Sequence, residues 1–399
     1  MPSATTNKLW RQLAIATNWP VLVAVAVLTM LGCFSIWAHS PADAQKQLVF
    51  VAVGIAAMAA FQAFDYRIIG RFSWGFYLFS LALIFYTVLG TKFPTLPFSQ
   101  PVKGQCNWIK IGPASLQPAE LMKVSFVMVL ARYLRFRSNY RTLVGLLPPF
   151  ALAVFPLALI LKQPDLGTAL VFIPALFAML FVAGARMWHL LAIVAMGIVM
   201  GMLLWMCGPV EEGAPGLPVF KHLPAFVKDY QRKRVYAMFN NDPAANKDIS
   251  YQTDRALTAI GSGGVAGKGL GEIPVGKGVP EAHNDFVFAL IGEQFGFIGS
   301  AIVLAAYIVL FTAGIEIAGN TREPFGRLMA LGIVATMAGQ TLINLMVVLR
   351  LMPVTGITLP FVSAGGSSLL ASFISAGLLL NVGQVRPIVM ARESFEFEE

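Results

Sequence analysis

Apolar stretches of bilayer-spanning length recur along the whole of this 399-residue chain. A helix needs about twenty consecutive apolar residues to cross a membrane. The runs fall near 19–38, 47–64, 72–90, 118–134, 145–161, 168–184, 188–207, 286–316, 326–349 and 367–386. In lipid every backbone N–H and C=O must find its partner inside the protein, and runs this long meet that demand as helices. The predicted fold class is therefore all-α and polytopic, with about ten transmembrane helices. A large polar loop, 208–284, separates the seventh from the eighth. Composition agrees: 57% of residues are hydrophobic and only 12% are charged, against about 25% charged in a soluble domain. The first run exceeds a usual signal-peptide core and reads as an uncleaved helix.

Charge placement sets an expected orientation. Ten spans put both termini on one side. Arg67 and Arg71, the cluster Arg132, Arg135, Arg137 and Arg141, then Arg186, Arg322 and Arg327 alternate onto that same side. The opposite short loops carry fewer cations, mainly Lys92, Lys103 and Lys110. The positive-inside rule then predicts cytoplasmic termini and an extracytoplasmic 208–284 loop. The net charge of +9 points to anionic lipid headgroups rather than to nucleic acid. Cys33, Cys106 and Cys207 form no CxxC pair and no metal-ligand spacing, so no disulfide framework is expected.

Charged residues near apolar runs are costly unless paired or used. Asp285 lies where the polar loop gives way to the eighth run, in PEAHNDFVFALIGEQFG (280–296). That is the depth at which a polar headgroup would sit with its tail in lipid. The plain alternative is an acidic N-cap. Ala289, Gly292, Gly296 and Gly299 follow at helical spacing, a stripe that predicts close approach of a neighbouring helix. Glu120 and Lys123 are three apart, on one helical face, and can neutralise each other. Asp165 stands between two apolar runs. Gln340 and Asn344, four apart, are placed to bond across to other helices. Arg350 reads as a snorkelling side chain at a helix end.

Two glycine-bearing segments invite functional readings. In GSGGVAGKGLGE (261–272) a Walker loop would need Gly five residues before Gly267 and Ser or Thr after Lys268; those positions hold Ser262 and Gly269. No phosphate loop of that kind is present. The glycines either turn the loop tightly against the membrane or bring N–H groups near a diphosphate. MPVTGITLPFVSAGGSSLL (352–370) combines Pro353 and Pro360 with Gly365 and Gly366. It predicts non-helical backbone at membrane depth leading into the last helix, tolerated only if buried in protein or lining a cavity. Ser367 and Ser368 are placed to cap that helix. Ser363 is placed to cap or to touch substrate.

These motifs occur together and in order: KGQCNWIKIG (103–112), QPAELMK (117–123), QPDLGTA (163–169), DYQRKR (229–234), YQTDRALTAIGSGG (251–264), PEAHNDFVFALIGEQ and PVTGITLPFVSAGGSS. In that order they resemble the SEDS proteins, the RodA and FtsW group, over nearly the whole membrane portion. The resemblance implies a single ten-helix membrane domain spanning 1–399, in the bacterial cytoplasmic membrane, that polymerises lipid II on the outer side. It places the family's catalytic aspartate at Asp285 and the other cavity residues at Lys123 and Asp165, with Glu120 beside them. PVTG and DYQRKR look more like the RodA branch. That implies cell-wall elongation, elongation-complex membrane proteins and a class B penicillin-binding protein as transpeptidase partner. Asn284, Asn107, Ala364 and Thr358 depart from the usual family residues, which touches the substrate loops and not the catalytic position.

The chemistry is consistent with such a site. A sugar hydroxyl is a poor nucleophile until its proton is removed, a task for a carboxylate in hydrogen-bond reach. The departing lipid diphosphate needs its charge neutralised, for which Lys123, Arg234 and Lys268 are the candidates in that order; a divalent cation such as Mg2+ would serve the same end. His283 is a rival base by its ordinary pKa, but it precedes the helix and reads as a loop contact. Two other classes share the same polar cavity: a flippase for lipid-linked precursors and a non-catalytic scaffold for a partner enzyme.

Overall fold

The computed structural model describes residues 18–93, 97–98, 106–112, 114–136, 139–163, 165–207, 232 and 247–384. Lys103, Arg137, Arg234 and nearly all of DYQRKR lie outside the described residues. Ten long helices account for the ten apolar runs. They are α1 (Trp19–His39), α2 (Pro41–Ala63), α4 (Ser73–Lys92), α5 (Pro118–Arg135), α6 (Leu143–Lys162), α7 (Leu166–Ala183), α8 (Met187–Trp205), α10 (Val287–Asn320), α11 (Pro324–Val348) and α12 (Gly366–Gln384). Between them lie the short α3 (Tyr66–Arg71) and α9 (Lys247–Ser262), together with the hairpin β1 (Ile109–Ile111) and β2 (Ala114–Leu116). The hairpin pairs antiparallel with Ile109 opposite Leu116.

Side-chain caps mark where three of these helices begin. The second apolar run starts near residue 47, but α2 starts at Pro41, where the Ser40 hydroxyl accepts from the Asp43 N–H at 3.4 Å. Proline suits a first helical position because its missing N–H would be unpaired there anyway. Thr142 caps α6 and Asp165 caps α7 in the same way.

Nine of the ten are long and apolar enough to cross a membrane by length and composition. The exception is α5, which carries Glu120, Lys123, Arg132 and Arg135. It lies at the centre: every residue from Ala119 to Ala131 except Leu121 is buried, against α4, α7, α11 and α12. Protein rather than lipid surrounds it, so it needs no continuous apolar surface. By contrast, α8 buries only Leu190 and is apolar all round, as a lipid-facing helix should be.

The run at 286–316 is not one straight helix. At Gly296 the backbone takes φ 64°, ψ −155°, splitting α10 into a short first segment and a long second one. The small-residue stripe is thereby interrupted. Gly292 does pack on a helix, α9, where a Cβ would stand 3.2 Å from Ile260. Gly296 instead meets backbone, at Gly267 N and Val265 O, and Gly299 meets its own neighbour Phe295. The stripe expected to seat one helix seats the end of α9 and the glycine loop after it. That loop completes the broken helix. The N–H groups of Lys268 and Gly269 donate to the Glu293 and Gln294 carbonyls at 3.0 and 3.1 Å; those of Phe297 and Ile298 donate to Gly264 and Val265 at 2.9 and 3.2 Å. The loop's amides at 268 and 269 therefore face protein carbonyls.

A β-carbon at Gly296 meets both a conformational barrier and a clash. Gly296→Ala should lower stability by at least about 1–3 kcal/mol from backbone strain alone, read as a drop in the thermal unfolding midpoint of the detergent-solubilised protein. An unchanged midpoint would refute the account of the break.

Candidate active site

Asp285 sits half-buried in the turn that leads into the first segment of α10. The N-cap position belongs to Phe286, whose side chain makes no cap bond, and Asp285 stands one residue before it. Its N–H donates to the Glu281 carbonyl at 3.3 Å, and its own carbonyl accepts from Asn344 Nδ2 at 2.8 Å. The carboxylate faces Gly356, where a Cβ would stand 3.6 Å from Oδ2. Gly356 is at φ +73°, so it supplies a backbone turn that a side chain would disfavour.

Gly356 belongs to the non-helical segment 353–365, most of which is buried, as the prolines and glycines predicted. Side chains from α11 satisfy its backbone. Asn344 Nδ2 also donates to the Ile357 carbonyl at 2.6 Å, and Gln340 Nε2 to the Thr358 carbonyl at 2.8 Å. Gln340 thus bonds across to another helix, at Lys123 of α5, and both amides also hold the buried segment. Gln340 Oε1 accepts from Lys123 Nζ at 2.7 Å, and Lys123 reaches Glu120 at 2.8 Å. Both members of that ion pair are 5% exposed. A cavity of about 20 Å³ lies beside Glu120, Lys123 and Gln340, also lined by Thr336, Ser372 and Ser375. That is room for a water-sized group among polar partners.

Asp165 caps α7: Oδ1 accepts from the Thr168 N–H at 3.0 Å and Oδ2 from the Thr168 hydroxyl at 2.8 Å. Gln117 Nε2 donates to Oδ2 at 3.0 Å. Burial pushes the Asp165 carboxyl up from its ordinary pKa. The Glu120 charge pushes it the same way, and the Thr168 hydrogen bonds and the Lys123 charge oppose them. The start of α7 is held to the buried segment at Gly167, whose Cβ position is 2.7 Å from the Thr355 carbonyl. Residues 355–358 thus form a common ruler, with Asp285 at Gly356, Asn344 at Ile357, Gln340 and Lys123 at Thr358, and the Asp165 helix at Thr355.

Other expected site residues are placed differently. His283 stacks on His39, ring centroids 5.3 Å apart, and its carbonyl accepts from the Ala364 N–H at 2.8 Å. The Ser363 hydroxyl accepts from Leu359 N at 2.7 Å, and its carbonyl accepts from Gln47 at 3.1 Å. Ser367 accepts from Gln117 N at 2.9 Å and donates to the Ser115 carbonyl at 2.9 Å. Ser368 shares a 2.6 Å hydrogen bond with Thr358. These hydroxyls tie α12 to the hairpin and to the buried segment. Lys268 lies at the far end of the first segment of α10, with Nζ 2.6 Å from Glu293 and 2.8 Å from Ser262. Arg350, expected at a helix end, pairs with Asp254 of α9 at 2.6 Å. Gln117 and Thr358 were not picked out as contacts; the only signal for Gln117 was its place at the head of QPAELMK. Among the described residues no three His, Cys, Asp or Glu side chains converge to hold a metal ion.

Comparison with known proteins gives a consistent result. A model of the FtsW, RodA and SpoVE family, described as cell cycle proteins, matches residues 7–387. Stage V sporulation protein E of Bacillus subtilis (strain 168) is 32% identical over 95% of this chain and 99% of its own length. The probable peptidoglycan glycosyltransferase FtsW of Geobacter sulfurreducens is 32% identical over 91% of this chain and 94% of its own. A solved chain from work on the structural coordination of polymerization and crosslinking by a peptidoglycan synthase complex superposes with a TM-score of 0.74. It is 26% identical and covers 93% of this chain and 99% of its own.

Two measurements check the site's electrostatics. Lys123→Met should cost about 3–5 kcal/mol by leaving Glu120 buried and unpaired. The Glu120→Gln, Lys123→Met double variant should cost much less than the two single losses added together. Additive losses in thermal unfolding would dismiss the pair. Because the folded state holds the Asp165 proton more tightly than the unfolded chain, this group's contribution to stability is largest below the ordinary carboxylate range. It declines as pH rises through the raised value. Asp165→Asn should flatten that part of the stability–pH curve.

Proposed function

The chain belongs to the FtsW, RodA and SpoVE family and is a peptidoglycan glycosyltransferase; we propose that it polymerises lipid II into linear glycan, with Asp285 as general base. The observation that carries this reading is a half-buried carboxylate beside a buried extended segment, with Lys123 and Asp165 referred to that same segment. In the reaction the acceptor sugar hydroxyl attacks the anomeric carbon of the donor, and the bond from that carbon to the lipid diphosphate breaks. Asp285 takes the hydroxyl proton, and the electron pair leaves on undecaprenyl diphosphate. A single displacement inverts the anomeric centre. The low-dielectric surroundings strengthen each electrostatic contact. Lys123 is the first choice for neutralising the departing charge, with Arg234 and Lys268 after it in that order. Glu120 holds Lys123 in place, and Asp165 with Gln117 shapes the neighbouring wall. His283 and Ser363 support the Asp285 turn, and Ser367 anchors α12.

The whole chain then acts as one membrane domain in the bacterial cytoplasmic membrane. Both termini are cytoplasmic, and the Asp285 end faces outside with the 208–284 loop. The positive-inside distribution of arginines supports that orientation. A class B penicillin-binding protein crosslinks the product. This pairing is supported by the solved relative's link to polymerization and crosslinking within one synthase complex. PVTG (353–356) and DYQRKR (229–234) support a role on the RodA side, in elongation alongside other membrane proteins of that machinery.

With purified protein, its transpeptidase partner and labelled lipid II, Asp285→Ala should lower polymerisation by about 10²–10⁴-fold while eluting as folded protein. Full activity would end the base assignment, and lipid II transport across proteoliposomes without polymer would favour a flippase instead. Depletion in cells should give rounded cells; long filaments would move the protein to the division branch.

A further inference from the structure

The first segment of α10 holds a second carboxylate, Glu293, with no exposed surface. Oε2 accepts from the Gly276 N–H at 2.7 Å. Oε1 accepts from the Val275 N–H at 3.1 Å and from Lys268 Nζ at 2.6 Å, with the Ser262 hydroxyl at 3.4 Å. A buried charge is tolerable when paired and hydrogen-bonded, and here one side chain gathers the glycine loop, the end of α9 and the 275–276 turn. The bond from Glu293 to Gly276 closes the chain into a ring, with Asp285 nine residues from one end and eight from the other. Within that ring Asp285 is attached elsewhere at its carbonyl, by Asn344, and through its neighbour His283, by Ala364.

We propose that Glu293 is a positioning residue for Asp285: by clamping residues 275–276 to the first segment of α10, it fixes the height and angle of the turn that presents the base. This rests on the reading of Asp285 as the base. Lys268 serves here as the counter-ion that keeps the clamp charged. Glutamine at 293 keeps the shape but turns an NH2 group toward donors, so the ring opens. Aspartate keeps the charge but falls short by one methylene. Alanine at Gly276 leaves the carboxylate intact and pushes the turn away, since a Cβ there stands 2.5 Å from Leu290 and 3.0 Å from Glu293 Oε2.

The test uses the full chain with its partner, in proteoliposomes carrying lipid II. For Glu293→Gln, kcat should fall about tenfold to a hundredfold with KM within about threefold, as a displaced base affects the chemical step more than binding. Glu293→Asp should keep more kcat than Glu293→Gln. Amide exchange over 273–279 should quicken in the Gln variant while α11 and α12 exchange as before. If Glu293→Gln does not fold, Gly276→Ala decides and should show the same kcat-selective loss. Wild-type kcat in folded Glu293→Gln or Gly276→Ala, or a KM-dominated loss, overturns the positioning role. An Asp285→Ala arm separates the two readings. If it is inactive while Glu293→Gln is fully active, only the clamp fails; if it is active, the base assignment itself falls and the clamp with it.

Discussion

The organisation of the site depends on one constraint: backbone that is not helical cannot lie at membrane depth with its polar groups unpaired. Residues 353–365 break that pattern and are rescued by side chains. Asn344 and Gln340 reach the carbonyls of Ile357 and Thr358. The Ser363 hydroxyl takes the Leu359 N–H, Tyr307 takes the Pro360 carbonyl at 2.5 Å, and Gln47 takes the carbonyl of Ser363. Each such bond is worth about 1 kcal/mol net, but leaving the buried group unsatisfied costs more. Two of the residues that rescue the segment therefore also hold Asp285 and Lys123. Asn344 binds Asp285 with the same nitrogen that binds Ile357, and Gln340 binds Lys123 with its other end.

A second backbone irregularity obeys the same rule. The break at Gly296 frees carbonyls and amides in the middle of α10, and the glycine loop supplies partners on both sides of it. Small residues are required there because backbone lies against backbone. Of the glycines that suggested an anion cradle, Gly263 and Gly267 are explained by this contact, and Lys268 by the carboxylate beneath it. The irregular segment before α12 lies against Asp285, and the break inside α10 lies at the other end of that helix's first segment.

Much of this was legible in the sequence. The ten apolar runs correspond to ten helices, because bilayer thickness fixes their length. Pro353, Pro360, Gly365 and Gly366 announced the buried loop, since neither residue type continues a helix without cost. Gln340 and Asn344 stood out as amides on an apolar face. Their partners did not: a carbonyl has no signature in sequence, so which backbone an amide will bind is decided by the packed fold. The same reason hid Gln117 beside Asp165. The serines at 363, 367 and 368 were read as caps from their position, but Ser363 takes the Leu359 N–H, Ser367 the Gln117 N–H and the Ser115 carbonyl, and Ser368 the Thr358 hydroxyl. Hydropathy marked the small stripe after Asp285 but not the break within it, because a helical and a non-helical glycine look alike in a one-dimensional pattern.

The central helix has a consequence for how the protein is made. As α5 leaves the ribosome it carries an ion pair into the membrane, flanked by two arginines at its far end, with too little apolar surface to be comfortable among lipids. The amide that completes the coordination of Lys123 is Gln340, more than two hundred residues later in the chain. Much of the wall that shields it, α11 and α12, is synthesised last. Half-built chains must therefore keep α5 beside its early neighbours α4, α6 and α7, or in the care of the insertion machinery, until the carboxyl-terminal helices arrive. A chain that stops before α11 lacks both Gln340 and much of the wall that packs around Glu120 and Lys123.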